Sequence, residues 1–141
     1  MKVEDWNKRF PNFLPEEVLS PAAMKRYEAH GIIGIDLNAL DILQEFRHKL
    51  GVPFRVNHRG LNLRGYRTPK EHLGLGHGSS MSPHSRGCAF DVTPDNMPLH
   101  TFRSLAVDFK KWKGIGLYNT FVHLDTWDRF GDGRITQWRK S

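Results

Sequence analysis

The chain has 141 residues, enough for one ordinary domain with a core of its own. Apolar residues at 38% and aromatics at 11% exclude a disordered chain, and a single cysteine, Cys88, excludes both an intrachain disulfide and a cysteine-based zinc site. A net charge of +6 favours anionic partners, but the Lys and Arg are scattered rather than grouped with aromatics, which argues against nucleic acid, and no run approaches the ~20 apolar residues of a membrane span.

In chain order, residues 1–20 read as an irregular arm that lays Trp6, Phe10 and Phe13 on the domain, with one helical turn at Pro15–Leu19. Ser20-Pro21 starts a short helix, a hydroxyl at the cap and proline at the first helical position, with Ala23, Met24 and Tyr27 on one face and Gly31 as its stop. Asp36 caps a longer helix. Leu37, Leu40, Leu43, Phe46 and Leu50 recur every three or four residues, Ala39 and Ile42 widen the stripe, and Gly51 ends it. Phe54–Asn57 reads as a strand. Residues 58–83 carry five glycines, two prolines and three histidines without periodicity, and a loop of that length is usually functional or disordered.

Cys88–Val92 alternates, with Cys88, Phe90 and Val92 facing one way and Ala89 and Asp91 the other. From about Pro98 to Trp112, the residues Phe102, Leu105, Ala106, Phe109 and Trp112 form a helical stripe. Residues 115–118 and 121–125 read as two strands of a tight hairpin turning at Asn119-Thr120, and Arg134–Trp138 as a last strand. The pattern predicts one α+β domain over 1–141, a small and mainly antiparallel sheet packed by helices.

His84 lies in a Ser/Pro/Gly loop and Asp91 in the strand that follows it. On 121–125 the period of two buries Val122 and Leu124 and turns His123 and Asp125 to the other face. His84, Asp91 and His123 make three protein ligands, and three ligands with a fourth position open is the pattern of catalytic zinc. The same spacing also fits a histidine that is merely hydrogen-bonded.

Gly65-Tyr66-Arg67-Thr68-Pro69, the run from Ser82-Pro83-His84 to Ala89-Phe90-Asp91-Val92, Gly114-Ile115-Gly116-Leu117-Tyr118 and Phe121-Val122-His123-Leu124-Asp125 together resemble the zinc D-Ala-D-Ala carboxypeptidases of bacterial cell-wall metabolism, whose fold is shared with the hedgehog signalling domain. The resemblance covers 36–125 and leaves out the arm and short helices of 1–35 and the tail. It implies Zn2+ on His84, Asp91 and His123, and peptide-bond hydrolysis in peptidoglycan. It also implies that Arg67 binds a carboxylate or carbonyl of the substrate. A guanidinium fork suits a carboxylate and can stabilise a developing oxyanion, although a surface salt bridge is the plain alternative for Arg67.

Better-known members carry Glu or His three positions before the last ligand, where this chain has Thr120. Asp125 is the first candidate for the general base, against an equal alternative as the carboxylate that orients a zinc histidine. His77 and His72 are further candidates. Ser82 is read as a substrate-side hydrogen-bond donor or a turn former, and Trp127 and Trp138 as packing residues. The expected protein is a monomeric zinc peptidase, carboxypeptidase or endopeptidase, acting on peptidoglycan stem peptides. Met1–Trp6 carries no hydrophobic signal core, so synthesis in a cytoplasm and a phage lysis or virion enzyme of the endolysin kind are expected. The alternative is a non-catalytic, zinc-containing wall-binding module.

Overall fold

The computed structural model describes residues 5–30, 35–56, 84 and 86–140. Among them are helices α1 (Trp6–Arg9), α2 (Pro15–Val18), α3 (Pro21–His30), α4 (Leu37–Leu50) and α5 (Leu99–Phe109). The strands are β1 (Phe54–Val56), β2 (Ala89–Pro94), β3 (Gly114–Leu117), β4 (Val122–Asp125) and β5 (Thr136–Arg139). The strands form one sheet in the order β1-β2-β4-β3-β5, antiparallel except for the parallel edge pair β3 and β5. The α+β expectation, with a mainly antiparallel sheet, therefore holds.

One apolar cluster joins the helices to the sheet. Phe90, Val92, Val122, Leu124 and Ile115 supply the strand side, and Leu40, Leu43, Phe46, Phe102 and Ala106 the helix side. The longer helix has the expected ends. The Asp36 carboxylate accepts the N–H of Asn38 at 2.9 Å, and Gly51 closes the helix in the left-handed conformation at φ 71°.

The segment read as an arm is part of the core. α1 turns Trp6 inward, where its indole N–H donates to the Phe13 carbonyl at 2.7 Å and its ring meets Phe10 and Tyr27 edge-on at 5.1 and 5.6 Å. Arg9 grips Asp41 of α4 on the outside at 2.6 Å.

Boundaries shift elsewhere for identifiable reasons. α5 stops at Phe109 because Lys110 takes a left-handed conformation, φ 67°. Trp112 therefore enters the core from the connecting segment, edge-on to Phe46 at 6.0 Å, while Leu105 falls on the helix flank and is exposed. β2 runs on to Pro94 because Thr93 and Pro94 find partners in Arg55 and Phe54 of β1.

Candidate metal centre

The register of the central strands builds the site. β2 and β4 place Asp91 directly opposite His123, and Ala89 opposite Asp125. Since Phe90, Val92, Val122 and Leu124 fill the helix-side core, Asp91, His123 and Asp125 share the other face. His84 arrives from a tight turn closed by the Gly87 N–H on the His84 carbonyl at 3.1 Å, with Gly87 at φ 78°. The Asp36 N–H, at the start of α4, holds that turn through the Gly87 carbonyl at 2.9 Å.

The three expected ligands meet. His84 Nε2 lies 3.3 Å and His123 Nδ1 3.0 Å from the same oxygen, Asp91 Oδ1, and the donor atoms of all three residues lie within 4.8 Å of one another. His84 and His123 are buried, at 5% and 7% exposure. Two imidazoles and a carboxylate are a donor set that suits zinc, and three of them leave room for a further ligand. Cys88 is not among the residues whose donor atoms converge there, and burial pushes its thiol up to about 11.

Asp125 faces the other nitrogen of the His123 ring, with Oδ2 2.7 Å from Nε2. Its carboxylate is fully buried and its remaining acceptor positions are taken. Arg129 donates Nη1 to Oδ1 at 2.9 Å and Nη2 to Oδ2 at 2.7 Å, and the Trp127 N–H donates to Oδ1 at 3.1 Å. Burial alone would raise the Asp125 pKa, but the hydrogen bonds with His123 and Arg129 hold it below the usual carboxylate range. Asp91 is likewise held low: burial works against its charge, and the two histidines outweigh burial.

Two glycines of β3 make space for this second layer. Gly114 pairs with Asp125 and Gly116 with His123, and a Cβ at either position would run into Asp125 and Arg129 or into the Trp138 indole. Trp138, from β5, packs against the His123 ring at 5.2 Å and donates its indole N–H to the Tyr118 hydroxyl at 3.1 Å. Thr120 sits exposed at the hairpin tip, where its carbonyl accepts from the Thr93 hydroxyl. Arg67, Ser82, His72 and His77 lie outside the described residues.

Sequence reasoning did not find Arg129, and it read Trp138 as a packing residue rather than a neighbour of a ligand histidine. The pair Gly114-x-Gly116 was the available signal, because two glycines on one face of a strand leave room for large neighbours.

Fold and site together define a class: an α+β domain with a His–Asp–His set that could hold a metal at the seam of two antiparallel strands. The profile of the Peptidase M15 family matches residues 17–125, and the chain belongs to that family. The family is one of zinc-dependent metallopeptidases of the D-Ala-D-Ala carboxypeptidase kind that act on the bacterial cell wall. No match is found among curated proteins.

Proposed function

We propose that this chain hydrolyses peptide bonds in peptidoglycan stem peptides or cross-links, with zinc held by His84, Asp91 and His123. The observation that carries the proposal is the convergence of His84 Nε2 and His123 Nδ1 on one oxygen of Asp91. Bound zinc supplies a Lewis acid and lowers the pKa of a water to ~7. The protein's own residues do the rest. Asp91 contributes the anionic ligand, and the His123 Nε2–H donates to Asp125, which leaves the Nδ1 lone pair aimed at the metal position.

Asp125 has two roles open from sequence, general base or orienting carboxylate, and its surroundings favour the second. A buried carboxylate already accepting from His123, Arg129 and Trp127 has no lone pair left for a water proton. The base then falls to His77 or His72, while Arg67 and Ser82 bind the substrate's carboxylate and carbonyl. Asp125→Asn should accordingly weaken zinc binding about 10–100-fold. Unchanged zinc affinity with lost turnover would return Asp125 to the role of base.

The second reading, a wall-binding module without catalysis, is favoured by Thr120 in place of an acid or base and by the full engagement of Asp125. A digest of purified peptidoglycan analysed by mass decides between them. Free D-Ala marks a carboxypeptidase, and separated stem peptides mark an endopeptidase. Intact wall that carries the protein down on sedimentation marks the module. Metal analysis should find about one zinc per chain, lost in His84→Ala and His123→Ala, and zinc-free wild type would sink both readings. A phage lysis or virion enzyme is the setting we propose, and lysis of outer-membrane-permeabilised bacteria by added protein tests it.

A further inference from the structure

We infer that Arg129 is a positioning residue for the metal centre, acting through Asp125 on His123; the inference rests on the zinc reading above. A carboxylate that met only His123 would pivot about its own side-chain bonds. The Arg129 fork, at 2.9 and 2.7 Å to the two oxygens, fixes the plane of the Asp125 carboxylate, and a guanidinium is the side chain whose rigid geometry matches it. With that plane fixed, the 2.7 Å contact from Oδ2 to Nε2 sets the tilt and tautomer of the His123 ring and keeps Nδ1 directed at Asp91.

Arg129 is itself held in place. Its guanidinium lies over Trp127 at 4.6 Å and over Trp138 at 5.3 Å, and Nη1 also donates to the Trp127 carbonyl at 3.2 Å. Arg86, two residues from the ligand His84, lies over the same Trp127 at 4.8 Å. The segment after β4, past the part matched by the family profile, therefore touches the support of His123 and a neighbour of His84 in the chain. Gly114 is the complement, since a Cβ there would occupy the space of the Asp125–Arg129 pair.

The test measures zinc affinity by chelator competition for wild type, R129A, R129K, D125N and D125N/R129A, each checked for folding by circular dichroism. R129A should bind zinc about 10–100-fold more weakly, the range found for partners that orient metal ligands. R129K, which keeps the charge and loses the fork, should fall between R129A and wild type. If Arg129 works through Asp125, the double variant binds no more weakly than D125N alone. A merely structural role would instead multiply the two losses, and that result overturns the inference. So does wild-type affinity in R129A, or in R129K if R129A does not fold. A wild type that takes up no zinc defeats the zinc reading and this inference together, whereas zinc-binding wild type with an indifferent R129A defeats the inference alone.

Discussion

His123 sits between two carboxylates, and its protonation follows from that position. Burial favours the neutral ring, but the hydrogen bonds to Asp125 and Asp91, with the charges they carry, outweigh it and raise the pKa to about 9. A folded-state pKa above the unfolded ~6.5 contributes stability that is complete below pH ~6.5 and is lost as pH rises through about 9. Chelator-treated protein should therefore lose melting temperature across that window, and His123→Gln should remove the dependence. Zinc must displace the same proton, so affinity measured by competition should increase with pH over the same range. Gly116 provides a second residue-scale test. Alanine there presses on the Trp138 indole, a rigid ring rather than a flexible chain end, and should cost about 1–3 kcal/mol in chemical denaturation. Of these residues, Asp91 and His123 could be placed on one sheet face from sequence because a period of two assigns faces to strands, whereas His84, in a loop, was joined to them by the family resemblance. Arg129 was not legible, because it reaches Asp125 through an irregular turn whose path no periodicity encodes.

At the scale of elements, legibility followed the local signals. α4 carries a capping carboxylate, a continuous stripe and a glycine stop, and its extent matches its pattern. α5 has no such stop. Lys110 ends it in a conformation that sequence assigns to glycine or asparagine, so the apolar period runs past the helix to Trp112. In the first 13 residues the reading of an arm that lays its aromatics on the domain agrees with the burial of Trp6, Phe10 and Phe13, and what the pattern did not show is the helical turn Trp6–Arg9. Trp6 fills a position between α1 and α3 and satisfies its indole N–H at the Phe13 carbonyl. Trp6→Ala should accordingly cost about 3–5 kcal/mol, as for other large buried aromatics, read from the shift of the denaturant midpoint at constant slope. A loss below about 1 kcal/mol, the surface range, would mean that the segment does not pack as part of the core.

At the scale of the whole molecule, the sheet separates two tasks. One face carries the apolar cluster with the helices, and the other carries Asp91, His123 and Asp125 beside Arg129 and Trp138. Among the described residues no helix is long and apolar enough to cross a membrane, and the net charge of +6 suits an anionic wall. The pairing of Asp91 with His123 has an evolutionary consequence: it decides where the chain can change length. One residue gained or lost within β4 turns His123 to the face of Val122 and Leu124, and the centre disappears even if the domain survives. The turn at Asn119-Thr120 lies outside the paired residues Val122–Asp125, so lengthening it leaves the β2–β4 alignment untouched. Two residues inserted at the turn should leave zinc stoichiometry unchanged, and one inserted between Val122 and His123 should abolish it. Natural length variation in this part of the domain should therefore collect at the hairpin tip and spare the strands beside it.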